Sequence, residues 1–228
     1  MNKIPVGKII EFSRRTDRGR STLIRNLNTP KKKKSDNEAS TGGDYWISCI
    51  SALKNTFRTN DNNILKEKIE FLSKKKVITQ HHKTVNRNKR NIEILQKYID
   101  VDFSKWMPNT EFTILSKPKN ISIISINGVL VEIKPSHVFT WFESGKPCIG
   151  AIWFLAKTDE FNINELSVFT ETLYRYLKMN YSKEFEINTD LCVAVNTSNK
   201  TELSYSEFKQ NKLPSYLSNI LKEIRKIA

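Results

Sequence analysis

The chain has 228 residues, 38% of them hydrophobic, and carries 38 Lys or Arg against 24 Asp or Glu, a net charge of +14. That apolar content can fill the core of one large or two small domains, which excludes wholesale disorder. The longest apolar run, CIGAIWFLA at 148–156, falls well short of the roughly 20 residues of a membrane helix, and the polar start MNKIPVGKIIEF lacks the apolar segment of a signal peptide, so a cytoplasmic protein without a membrane partner is expected.

The positive charge is unevenly placed. Residues 1–100 hold 23 Lys or Arg and 10 acids, whereas residues 101–228 hold 15 and 14, so nearly all of the excess lies in the first part of the chain. A field of that kind attracts polyanions, of which nucleic-acid backbone is the commonest in a cell. Cys49, Cys148 and Cys192 are far apart and show no CxxC spacing, so neither a zinc site nor a disulfide framework is expected. The Lys- and Asn-rich composition resembles that of a low-GC bacterium.

Along the chain, residues 1–28 read as a basic N-terminal arm bearing Arg14, Arg15, Arg18, Arg20 and Arg25, with Ser21 or Thr22 capping a brief helix through Asn28. Residues 29–43 (TPKKKKSDNEASTGG) have no apolar side chain larger than alanine and read as a flexible linker containing Lys31, Lys32, Lys33 and Lys34. The remainder, 44–228, reads as one α+β domain, with a helical lead-in over 44–100 and a sheet-and-helix core over 111–228.

Three helical patterns fill the lead-in. Trp46, Ile50, Leu53 and Phe57 form an apolar stripe behind a possible Asp44 cap, and Leu65, Ile69 and Leu72 form another ahead of Lys74, Lys75 and Lys76. In the third pattern Val85, Asn88, Ile92, Leu95 and Ile99 recur at helical spacing, while Lys83, Arg87, Arg90 and Lys97 line an adjacent face next to His81 and His82. From about residue 111 the period becomes two. FTILS, NISIISI and VLVEIK read as strands, with the Asn127-Gly128 hairpin signal between the last two. HVFTWF and CIGAIWFLAK follow as strands, the second apolar enough for burial on both faces. A long helix capped at Asn164, two strands joined by a Ser/Asn turn, and an amphipathic helix after Pro214 complete the order. Such segregated elements predict an α+β fold: an antiparallel-rich mixed sheet packed on a long helix and a C-terminal helix.

No Walker loop, GxGxxG, HExxH or GxSxG is present, and seven glycines leave little material for a phosphate-cradling loop. In GVLVEIKP (128–135) an extended backbone sets Glu132 and Lys134 side by side on one face, opposite Val129, Val131 and Ile133. Strands followed by a helix and a further strand, behind a helical lead-in, resemble the core of the PD-(D/E)xK, or restriction-endonuclease-like, superfamily in its RecB-type branch, over roughly residues 85–200.

That resemblance implies Mg²⁺ or Mn²⁺ bound by acids, with a lysine assisting developing charge. Glu132 and Lys134 match the E-x-K element, and Glu111 is the nearest upstream acid, so Glu132 and Glu111 would be the metal ligands of a nuclease. The chain departs from the pattern, because Asn109 stands where the family carries its Pro-Asp acid and NISIISI contains no carboxylate. Taking GAIWFLAK as the lysine strand instead places Lys157 in the lysine position and Leu155 where the acid belongs.

His137 reads as a base, a ligand or a hydrogen-bonded structural residue. Trp141, Phe142, Trp153 and Phe154 read as core or as a base-stacking platform. The leading expectation is a non-catalytic protein that binds DNA or RNA without base specificity and needs no cofactor. Its phosphate contacts would be Lys31, Lys32, Lys33, Lys34, Lys83, Arg87, Arg90 and Lys97, with Arg14, Arg15, Arg18 and Arg20 from the arm. A metal-dependent nuclease and an interaction protein that docks an acidic protein partner are the alternatives.

Overall fold

Residues 146–155 alternate between two cores, which makes this strand the divider of the molecule. Ile149, Ala151 and Leu155 enter one hydrophobic cluster, and Cys148, Ile152 and Phe154 enter the other. The computed structural model describes residues 2–29, 45–78, 81–116, 122–212 and 214–228.

The main sheet has five strands: β2 (Phe112–Ile114), β5 (His137–Glu143), β6 (Lys146–Leu155), β7 (Glu186–Asn196) and β8 (Glu202–Ser204), hydrogen-bonded in that order. The pairs β2/β5, β5/β6 and β7/β8 are antiparallel, and β6/β7 is parallel. A parallel neighbour needs a crossover, supplied here by helix α6 (Ile163–Tyr181). Its start is fixed by Asn162, two residues before the expected Asn164. Asn162 Oδ1 accepts from the Glu165 amide at 3.0 Å while Glu165 Oε2 accepts from the Asn162 amide at 3.1 Å, a reciprocal cap that satisfies two amide donors at the helix start.

On one face of the sheet α6 packs with α8 (Tyr216–Ile227), α1 (Val6–Ser13) and α2 (Asp17–Asn28). The same cluster takes in the inner side chains Ile124, Ile126, Val129 and Val131 of a second, three-stranded sheet. That sheet pairs β1 (Ile4–Pro5) in parallel with β4 (Val129–Glu132), and β4 antiparallel with β3 (Ile123–Ile126). Asn127 and Gly128 turn the hairpin with φ of 50° and 79°, the paired left-handed conformation that an Asn-Gly dipeptide adopts at least cost.

The opposite face carries α3 (Ile47–Thr59), α4 (Asn63–Ile78), α5 (His82–Gln96) and a 3₁₀ turn at Phe103–Trp106. Phe57, fully buried, joins these helices to the sheet through rings of Phe112, His137, Phe139 and Phe154 at 5.4–6.2 Å. Asn91 ties α5 to the start of α3, because its Oδ1 accepts from the Cys49 amide at 2.9 Å and its Nδ2 donates to the Tyr45 carbonyl at 2.8 Å.

The α+β class is as expected. The N-terminal segment, however, is no separate arm. Ile4, Val6, Ile9, Ile10, Phe12, Leu23 and Ile24 are buried in the cluster shared with α6 and α8, so residues 2–29 belong to the α+β body. The linker 29–43 lies outside the described residues, apart from Thr29. Among the described residues no helix is long and apolar enough to cross a membrane.

Candidate nucleic-acid interface

Between Lys74 and Lys97 the sequence places eight Lys or Arg against a single acid, Glu93. Helix α5 sorts this segment into two faces. Asn88, Asn91, Ile94 and Leu95 turn inward, a face rotated from the Val85, Asn88, Ile92 stripe expected from spacing, because the Asn91 amide has three partners inside while Val85 and Ile92 remain half-buried. Lys83 and Arg90 are left exposed, with Arg87 half-buried between them.

These three cations line a shallow concavity of about 350 Å³ together with Tyr45, Thr84 and Asn86. The Arg90 guanidinium lies 5.9 Å from the Tyr45 ring centroid, and Tyr45 is itself braced edge-on against Trp46 at 4.7 Å. No carboxylate is among the lining residues, and none of the three cations forms an ion pair with a described residue. The nearest acid on the helix, Glu93, is spanned by Lys89 at 4.0 Å. Tyr45 is not evident from the sequence alone, since it precedes the helix and shows no periodicity with α5. The open donors, the positive charge and the aromatic ring are suited to phosphate oxygens beside an unstacked base.

Other expected contact residues are placed elsewhere. Lys97 donates to the carbonyl of Ser198, in the turn between β7 and β8. Lys31, Lys32, Lys33 and Lys34 lie outside the described residues. Of the four arm arginines expected to contact phosphate, three are ion-paired. Arg14 donates through Nη2 to Glu165 at 2.5 Å and to the Glu160 carbonyl at 2.8 Å, and a second bond runs from its Nε to Glu165, which is nearly fully buried. Arg15 pairs with Glu11. Arg20 bridges to Glu223 of α8 at 3.1 Å and covers the Phe12 ring at 5.2 Å. Arg18 stays exposed. Acids from the back half of the chain, Glu132, Glu165 and Glu223, thus neutralise part of the front-half charge.

The E-x-K pair is also relocated. Glu132 ends β4 of the small sheet and Lys134 follows that strand, whereas Glu111 is exposed ahead of β2 in the main sheet. The Glu132 carboxylate is claimed by two lysines, Lys3 at 2.7 Å and Lys134 at 3.1 Å. Burial opposes its ionisation, but hydrogen bonds from Lys3 and Lys134 outweigh that and hold the carboxyl below its ordinary value. Among the described residues no group of three or more His, Cys, Asp or Glu is placed to hold a metal. The strand that precedes α6 is β6, which leads to Lys157, and Leu155 on it is buried. Burial, then the neighbouring Arg14 charge, lowers the Lys157 pKa from its ordinary value.

His137 is a structural residue. Its Nε2 lies 2.9 Å from the Lys54 carbonyl and its ring stacks on Phe57 at 5.5 Å. The four aromatics of the sheet form no platform. Trp141 and Phe154 are core, Trp153 packs on Phe169 from the other face, and Phe142 is exposed at the β5–β6 turn. No family model, no curated protein and no solved structure matches this chain.

Proposed function

We propose that this protein binds the sugar-phosphate backbone of nucleic acid, without base specificity, through the outer face of α5. The observation that carries this reading is the concavity, with no carboxylate among its described lining residues, that Lys83, Arg87 and Arg90 share with Tyr45. Arginine donates in a planar fork that matches phosphate oxygens, so Arg87 and Arg90 are the principal contacts and Lys83 adds a point charge. Tyr45 offers a π-face that accepts any base, which keeps binding indifferent to sequence. The protein's place of work on this reading is the cytoplasm, and Lys31 to Lys34, eleven or more residues ahead of Tyr45, add sequence-independent attraction.

Fluorescence anisotropy with short labelled DNA and RNA oligonucleotides of unrelated sequence tests this. The wild-type chain binds all of them, and the Arg87→Ala/Arg90→Ala double variant weakens each by a similar factor. Binding that ranks oligonucleotides by sequence, or survives the double substitution, overturns the reading.

A second reading, metal-dependent cleavage, draws on the order of the main sheet: antiparallel β2, β5 and β6, then α6, then β7 parallel to β6. On that topology the lysine before the long helix is Lys157, not Lys134. Cleavage in Mn²⁺ that is lost in Lys157→Ala and kept in Glu132→Ala would favour it.

A further inference from the structure

Glu132 and its two lysines border a cavity that the nucleic-acid reading does not use. It measures about 360 Å³ and lies where the small sheet, the β2–β5 edge of the main sheet and the C-terminal part of α6 meet. That volume falls within the range of small-molecule pockets. Its body is apolar, made by Leu115, Ile133, Pro135 and Val138 with the rings of Tyr176 and Tyr181.

Its charged lining groups are Lys3, Glu132 and Lys134, with Ser116 and Ser122 as further polar residues. Lys3 and Lys134 are largely exposed, with 51% and 68% of their side chains open to water, and both bond the same carboxylate oxygen, Oε1 of Glu132. One carboxylate between two ammonium groups leaves a net single positive charge at the mouth. An ammonium has three donors, and neither lysine has a hydrogen bond to a described residue other than Glu132. Glu132 therefore holds two mutually repelling cations at the entrance and leaves donors available on each.

We propose that this cavity takes a small amphiphilic anion: a carboxylate on a hydrocarbon body, its head between Lys3 and Lys134 and its body against Leu115, Val138 and the two tyrosine rings. A cationic head would face two ammonium groups there. A wholly apolar ligand would gain from the walls but not from the mouth.

Isothermal titration of the full chain with octanoate, below the concentration at which it self-associates, tests the assignment, with octylamine and octanol as controls of charge. Octanoate binds saturably and more tightly than either control. Lys3→Ala and Lys134→Ala each weaken it about tenfold, the scale of a lost hydrogen bond to a charged group. Leu115→Trp, which fills the cavity from a half-buried position, abolishes the binding, and Val138→Trp gives a second block should the first variant misfold by circular dichroism. Octylamine binding as well as octanoate, or octanoate binding that survives Lys134→Ala and a folded blocking variant, overturns the proposal. Oligonucleotide affinity stays unchanged in all of these variants, which separates this site from the α5 face.

Discussion

Replacing Arg14 by alanine removes the only described cation bonded to Glu165, a carboxylate with 3% of its side chain exposed. Breaking one partner of a buried pair costs roughly 3–5 kcal/mol, since the remaining charge stays buried without compensation. Arg14 itself is 27% exposed, so water partly screens the pair and the loss should fall near the lower end, about 3 kcal/mol. For a chain of this size that corresponds to a fall in Tm of about 6–12 °C. Urea unfolding followed by tryptophan fluorescence gives the free energy, and calorimetry gives the midpoint. Combining Arg14→Ala with Glu165→Gln in a double-mutant cycle should recover much of the loss, because the uncompensated charge is then gone. Oligonucleotide affinity should not change. A loss under about 1 kcal/mol accompanied by weaker oligonucleotide binding would refute the reasoning, because Arg14 would then be a contact residue rather than a brace.

Gly150→Ala should cost about 1–3 kcal/mol in the same urea assay, because the added carbon would sit 2.8 Å from the Leu191 carbonyl oxygen and 3.0 Å from the Phe139 ring, at the irregularity in the β6–β7 pairing. The Glu132 carboxyl is depressed in the folded chain, so it contributes stability above its unfolded pKa and loses it as pH falls through the folded value. Glu132→Gln should therefore flatten the acid limb of a stability-against-pH curve below about pH 4.5, and leave neutral-pH slopes unchanged. Burial raises the thiol pKa of Cys49 to about 12 and raises those of Cys148 and Cys192, so a thiol reagent at neutral pH should label none of the three until denaturant is added.

Much of the fold was legible because its elements are locally specified. The apolar spacing of Leu53 and Phe57, of Leu65 and Leu72, and of Leu217, Leu221 and Ile224 does mark buried helix faces, and Asn127-Gly128 turns a hairpin. What escaped depends on partners distant in sequence. Two residues, Ile4 and Pro5, become a strand only because Val131 and Glu132 lie beside them, and no local pattern announces a pairing across 127 positions. The same distance hides the division into two sheets, and so the separation of Glu132 from the strand before α6. Charge was legible as a sum but not as a surface: Arg14 and Arg87 look alike in sequence, yet Glu165 meets one and no described acid meets the other. Tyr45 was invisible for a related reason, since it reaches the α5 face through the fold of α3 onto α5.

The central claim is that the charge on α5 that no described acid meets, rather than the chain's total charge, binds phosphate, and a salt titration tests it most directly. Three phosphate contacts from Lys83, Arg87 and Arg90 predict that the logarithm of affinity for duplex DNA falls against the logarithm of salt concentration with a slope of about −3 or steeper. The Arg87→Ala/Arg90→Ala variant should be shallower by about 2, while Arg15→Ala, which retains the α5 face, should keep the wild-type slope. Equal slopes for all three proteins, or no binding at low salt, would contradict the account.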